Sequence, residues 1–326
     1  MTNAEGRGAP GAGPLMGRPE ALRRFPWLQE RDWEEAASRF PVRLPRAYLG
    51  DAATADDPRL RTALPDPSEM VETPEDVGDP VGDAARSPLP WVVHKHPDRV
   101  LLLLTKRCHL YCRYCFRRNH QPGEGEDPSA GEWAEMLAYA QNCGAREVIL
   151  SGGDPLAISD AKLFSVLDAL TMIPTRRIHT RAPITWPQRV TPALVAGLRA
   201  RGPVWMLVHA NHVAELTPAV REALRMLVDG GVPVLNQAVL LAGVNDSVDA
   251  LQQLCETLVG LRVFPYYLHH PDPAQGNSAF RLSPERGMAI WRELRSRVSG
   301  LALPQYGVDR PDGSGKVPVA EHFGLR

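Results

Sequence analysis

From Val100 onward the sequence predicts an α/β fold built on a parallel sheet. Three observations carry this. Short apolar segments alternate with longer amphipathic ones. The apolar segments are uninterrupted, as in strands buried on both faces. Hydroxyl residues and glycines mark the joins, where helices must start and stop. Strands are expected at 99–105, 146–151, 177–181, 204–210, 232–240 and 262–269. Helices are expected at 131–141, 159–170, 191–200, 217–230, 247–260 and 283–299, with Ser159 and Thr217 as N-caps and Gly144, Gly202 and Gly230 at stops. Periodicity does not separate an open sheet from a barrel. In both, a site lies at the C-terminal ends of the strands.

The first ninety residues read differently. Residues 1–20, rich in Gly, Ala and Pro, read as a disordered tail. Residues 21–95 read as an irregular helical appendage. One helix is expected at 27–40, with Trp33, Ala36, Ala37 and Phe40 on a shared face. Beyond it, closely spaced prolines from Pro41 to Pro90 prevent long regular elements. A core at 96–300 and a C-terminal segment at 301–326 complete the expected division.

Composition excludes several classes. The net charge of −1 over 326 residues provides no field for nucleic acid or an anionic membrane. No apolar run approaches the roughly 20 residues needed to span a bilayer. The N-terminus lacks the apolar stretch of a secretory signal. Of five cysteines, three are clustered, which argues for a reducing compartment and against a disulfide scaffold. A cytoplasmic enzyme with a small-molecule substrate is expected, with a homo-oligomer left open.

That cluster is Cys108-x3-Cys112-x2-Cys115, directly after the first strand. Four thiolates would complete a 4Fe–4S cube, and three leave one iron open to a non-protein ligand. A structural zinc site wants four closed ligands, and Cys143 belongs to no second C-x2-C pair. After the second strand comes Ser151-Gly152-Gly153-Asp154-Pro155. Its glycines let the backbone pass close to a ligand, and Asp154 can accept from an ammonium group. His209 closes the fourth strand and Gln237 lies in the fifth. Both are candidates to line a pocket.

The cysteine spacing after a first strand resembles radical S-adenosylmethionine (SAM) enzymes, in which the open iron holds the amino and carboxylate groups of SAM. Gly152, Gly153 and Asp154 resemble the turn that holds its methionyl amine. Within that superfamily the chain resembles the lysine 2,3-aminomutase family, which also uses pyridoxal 5′-phosphate (PLP). The resemblance rests on the Gly-rich loop ending in Lys316-Val317-Pro318, on His94-Lys95-His96-Pro97-Asp98-Arg99, on Arg117-Arg118, on Asn236–Leu241 with Val244-Asn245-Asp246, and on Pro265-Tyr266-Tyr267. It covers about residues 80–319. It implies a partial (β/α)6 barrel and an isomerase that exchanges an α-amino group with a β-hydrogen. It also implies a 4Fe–4S cluster on Cys108, Cys112 and Cys115, and PLP carried by Lys316. Lys95, Arg99 and Arg113 would hold the PLP phosphate, and Arg117 the substrate carboxylate. Asp272 and Asp309 would grip the ε-ammonium of L-lysine. An electron donor such as flavodoxin or ferredoxin is implied as partner.

Some features depart from the family pattern. Ala279 stands where relatives usually carry histidine, and the lysine loop is Pro-Asp-Gly-Ser-Gly rather than a run of glycines. The chain stops ten residues after Lys316, like the short aminomutase that supplies (R)-β-lysine for elongation factor P, which residues 39–45 also resemble. Asp309 in its Val-Asp context resembles the longer branch instead. Arginine suits two acids as well as lysine does. A PLP-independent radical SAM reaction and a non-catalytic iron–sulfur protein are the competing classes.

Overall fold

The computed structural model describes residues 15–120 and 122–325. The expected tail therefore falls mostly outside the described residues. Its last part is structured: β1 (Leu15–Met16) pairs antiparallel with β2 (Leu44–Pro45), and α1 spans Arg18–Arg24. The expected helix at 27–40 is α2, Glu30–Arg39, burying Trp33 and Ala36. Short helices α3 (Arg46–Leu49) and α4 (Pro58–Ala63) follow. After them come 3₁₀ turns at Pro67–Met70 and Ala84–Arg86. Proline density does keep these elements short.

All six expected strands form. A hairpin strand β3 (Val92–His96) leads into β4 (Arg99–Leu103). Then β5 (Glu147–Ser151), β6 (Thr175–Thr180), β7 (Val204–Val208), β8 (Val234–Val239) and β9 (Phe264–His269) follow in order. The parallel series continues into β10 (Gln305–Asp309), against which β11 (Lys316–Pro318) folds back antiparallel. Among the described residues the sheet order is β11-β10-β9-β8-β7-β6-β5-β4-β3, each strand beside its sequence neighbour. This curled sheet is a half-barrel. It agrees with the expected α/β partial barrel and extends it in two ways. A seventh parallel strand extends the series beyond six. The segments assigned to the appendage (92–95) and to a separate C-terminus (from 301) are strands of the same sheet.

Helices on the outer face are set by their first residues. The helices α5 (Ala130–Asn142), α6 (Asp160–Ala169), α8 (Pro192–Ala200), α9 (Pro218–Asp229), α10 (Val248–Gly260) and α11 (Pro284–Arg297) each begin after a Ser or Thr. The side chain of that residue accepts from a backbone N–H in the first turn. Each cap contributes about 1 kcal/mol. Ser159 and Thr217 are among them. At the end of α9 the left-handed position falls on Gly231 (φ 82°) rather than Gly230. Short α7 (Ala182–Thr185) follows β6, and α12 (Val319–His322) follows β11.

Strand alternation then decides what faces where. On β6, Ile178 is buried away from the cavity, whereas Arg177 and His179 line the cavity inside the curl. Residues of the appendage, including Met16, Phe25, Trp33, Tyr48 and Leu60, share one contiguous apolar core with the strands and helices of the half-barrel. No helix among the described residues is long and apolar enough to cross a membrane.

Candidate active site

The C-terminal ends of the strands open onto a cavity of about 520 Å³. It runs from the cysteine loop after β4 to Lys316 at the start of β11. Cys108, Cys112 and Cys115 all line it. Burial pushes the Cys108 thiol well up and the Cys115 thiol up to about 11. Cys112 Sγ accepts a hydrogen bond from Arg181 Nη1 at 2.7 Å. Among the described residues no three acidic, His or Cys side chains converge on a point that would hold a single ion. A cube asks for something else, since each thiolate binds a different iron. Three thiols on one wall of a cavity, one already paired with a cation, suit the cluster and not a closed zinc site.

The Gly-Gly-Asp turn after β5 packs against that loop. A Cβ on Gly152 (φ 123°) would collide with Thr105 O, and one on Gly153 with Lys106 and Arg107. Their bareness thus serves a close approach of the chain to itself, although both also line the cavity. Asp154 is 3% exposed. It accepts from Leu156 N (2.9 Å), Thr180 Oγ1 (2.6 Å) and Arg181 N (2.9 Å). The carboxylate expected to meet a ligand ammonium is therefore already tied to the end of β6, and only its remaining lone pairs face elsewhere.

Arg113 is a correction. Its side chain is buried beneath the appendage and does not line the cavity. Its Nε donates to Glu69 Oε1 at 2.8 Å and its Nη1 to Pro41 O at 2.9 Å, while the guanidinium lies 5.1 Å from the Phe40 ring centroid. Arg118 donates to the other Glu69 oxygen at 2.7 Å and to Gly276 O at 2.8 Å. A fully desolvated guanidinium takes the nearest buried carboxylate, and that carboxylate comes from the appendage.

The other expected cations do reach the cavity. Lys95 and Arg117 share Asp83, at 2.6 Å and 2.8 Å. Burial alone would raise the Asp83 carboxyl, but Arg117 and Lys95 hold it far below the usual range. Arg99 pairs with Asp98 at 3.0 Å. Neither Glu69 nor Asp83 was found by reading the sequence. Both lie in the proline-punctuated region, where no periodicity marks them. The available signal was the excess of cations around one loop, which must find counter-charges when buried.

Lys316 faces Asp309 across the β10–β11 register, with Nζ 2.7 Å from Oδ2 and 5.5 Å from the Tyr267 ring centroid. Burial would raise the Asp309 carboxyl, but the charge and hydrogen bond of Lys316, with the charges of Lys95 and His269, hold it low. Among the described residues Asp272 has no such direct partner. Burial pushes it up to about 7, opposed by the Lys316 charge and helped by that of Asp309. Before Lys316 the chain passes Gly313 (φ 83°) and Gly315 (φ 95°), left-handed positions that favour glycine, and Gly315 lies beside His96 and Arg99. An amine, two nearby cations and an aromatic face suit a phosphorylated aromatic aldehyde such as PLP. On the intervening wall Gln237 Nε2 donates to His209 Nε2 at 2.8 Å. Burial lowers His209 to about 3, so its ring is neutral and accepts.

Residues 102–255 match the Radical SAM superfamily. L-lysine 2,3-aminomutase of Fusobacterium nucleatum is 40% identical over 270 residues, 82% of this chain and 64% of that protein. The L-lysine 2,3-aminomutase of Methanococcus maripaludis is 37% identical over 306 residues, 92% of this chain and 71% of its own length. The chain belongs to the lysine 2,3-aminomutase family. Within this family the glutamate 2,3-aminomutase of Clostridioides difficile is also a relative, 33% identical over 89% of this chain and 70% of that protein. The superfamily match takes in the cysteine loop, the Gly-Gly-Asp turn, His209 and Gln237. Lys95, Arg99, Asp272, Asp309 and Lys316 lie outside it, and the fold brings these five to the same cavity.

Proposed function

We propose that this protein is a radical SAM aminomutase that moves the α-amino group of L-lysine to C3, giving β-lysine. The supporting observation is the lining of one cavity. Its walls bring together Cys108, Cys112 and Cys115 with Arg117, Asp272, Asp309 and Lys316. When bound, a cluster with SAM supplies hydrogen-atom abstraction from an unactivated carbon, and PLP supplies a covalent hold on the migrating nitrogen. Cys108, Cys112 and Cys115 would hold the cluster. Gly152, Gly153, Asp154, His209 and Gln237 would border SAM, and Lys95 and Arg99 would hold the PLP phosphate.

The chain's own residues then place the substrate. Arg117 pairs with the α-carboxylate, a task suited to a guanidinium fork. Lys316 contributes the amine that holds PLP before the substrate arrives. Asp272 and Asp309 accept the ε-ammonium. Two acids in the cavity that holds Lys316 oppose the side-chain carboxylate of glutamate, which favours lysine over the substrate named for the Clostridioides relative. Electrons would come from a low-potential donor such as flavodoxin or ferredoxin.

The test is anaerobic. The protein is reconstituted with iron, sulfide and PLP, supplied with SAM and dithionite, and L-lysine is followed by mass-resolved chromatography. β-Lysine is the expected product. SAM cleavage without β-lysine overturns the lysine assignment and directs the search to arginine or another amino acid. No SAM cleavage overturns the radical chemistry.

A further inference from the structure

One carboxylate from outside the half-barrel reaches the cavity's cationic end. Asp83 sits at the start of the 3₁₀ turn Ala84–Arg86, is 1% exposed, and lies between Lys95 and Arg117. The segment that carries it is braced at every step. Asp79 accepts from Asp83 N at 2.9 Å and from Ala84 N at 2.8 Å, and Ser87 Oγ donates to Asp83 O at 2.8 Å. On one side Val77 bridges to Ala274, two residues beyond Asp272. On the other, Arg86 Nη2 donates to Asp312 O at 2.7 Å, and Gly82 packs so closely on Pro311 that a Cβ there would collide. The strap thus runs from the Asp272 loop to the loop that carries Lys316.

The bond made to Arg117 matters. Asp83 takes the Nε edge of the guanidinium at 2.8 Å, and Nη1 donates to Ser151 Oγ at 3.3 Å. Among the described residues Nη2 has no hydrogen-bond partner, and with the second N–H of Nη1 it forms the edge that grips a carboxylate through two parallel hydrogen bonds. Lys95 is restrained as well, because its ammonium also donates to Val81 O in the same strap. Two cations around one carboxylate leave one unmatched positive charge facing the cavity.

We propose that Asp83 is a positioning residue for substrate selection. By holding the Nε edge of Arg117, it presents the guanidinium fork to the α-carboxylate of the amino acid, so the N-terminal strap sets the preference for an amino acid over a simple amine. This rests on the reading of Arg117 given under Proposed function.

The experiment compares two ligands that differ only in that carboxylate, L-lysine and 1,5-diaminopentane. Each is titrated calorimetrically into PLP-loaded protein without SAM or reductant, so that no turnover is needed. Wild-type protein prefers lysine. In Asp83→Asn the lysine Kd rises about tenfold, while the diaminopentane Kd stays within about twofold. Asp83→Glu, which keeps the charge, recovers part of the preference. Equal weakening of both ligands assigns Asp83 a purely structural role and overturns the proposal, as does no change in either. Should Asp83→Asn fail to fold by circular dichroism, Asp83→Glu decides by the same ratio, which must fall below that of wild type. A wild-type protein that does not prefer lysine overturns the reading of Arg117, and this inference with it. Preference retained by wild type and unaltered in the variants overturns the inference alone.

Discussion

Asp309 and Lys316 are direct partners in an antiparallel pair, and their side chains meet at 2.7 Å. The residue proposed to receive the substrate's distal ammonium therefore holds the protein's own ammonium first. Once the Lys316 amine is engaged by PLP, Asp309 is freed for a second cation. The expected consequence is that Lys316→Ala loses PLP that survives borohydride reduction and denaturation, detected as a mass increment on the 316-containing peptide. Asp309→Asn keeps that increment but loses about 30-fold in kcat/KM for lysine, the scale of one charge-assisted contact, about 2 kcal/mol. A mass increment retained in Lys316→Ala would assign PLP to another lysine.

Asp272 gives a pH dependence with a defined sign. Burial raises its carboxyl to about 7, so below that pH the free site is largely protonated and carries less charge for an ammonium. The kcat/KM for lysine rises with pH through about 7, since that ratio reports groups of the free enzyme. In Asp272→Asn the step is absent and the value stays low on both sides. A wild-type profile flat from pH 6 to 8 would remove Asp272 from the binding of the cation.

Glu69 and Arg113 separate stability from binding. Removing Glu69 would strand Arg113 and Arg118 without their buried counter-charge, so Glu69→Ala is expected to cost about 3–5 kcal/mol. Thermal unfolding of the cofactor-free protein reads this directly. Arg113→Met lowers the melting temperature but leaves PLP affinity of the folded protein within about twofold, whereas Arg99→Met weakens PLP about tenfold. Equal losses of PLP affinity in the two arginine variants would return Arg113 to the phosphate.

Legibility in the sequence followed the range of the forces. The strand–helix alternation and the Ser159 and Thr217 caps are local patterns, and each appears within a few residues of its expected place. The three cysteines are close in sequence, so their shared wall could be read from spacing. Strand β10 was missed because Gln305-Tyr306-Gly307-Val308-Asp309 is short and only partly apolar. It is held as a strand by β9 on one side and β11 on the other. The fate of individual charges was least legible. Arg113 and Arg117 stand four residues apart in one loop, yet Glu69 draws the first away and Asp83 orients the second toward the cavity. Both acids lie more than thirty residues upstream, a pairing that only the folded appendage specifies.

Cys112 and Arg181 carry the last prediction. The guanidinium that donates to Cys112 Sγ at 2.7 Å is also held by Tyr48 at 2.9 Å and by Glu215 at 2.6 Å. Tyr48 belongs to the appendage and Glu215 follows β7, so three parts of the chain fix one donor on one sulfur. Hydrogen bonds to the sulfurs of a cluster are among the factors that set its reduction potential, because they stabilise the more negative reduced form. Cys112→Ala is expected to lose the cluster, read as absent visible absorbance and iron far below four per chain after reconstitution. Arg181→Met is expected to keep its iron but to shift the reduction midpoint to lower potential, measured by titration with electron paramagnetic resonance. A full iron count in Cys112→Ala would break the cluster assignment. An unchanged midpoint in Arg181→Met would limit that arginine to bracing Tyr48 and Glu215.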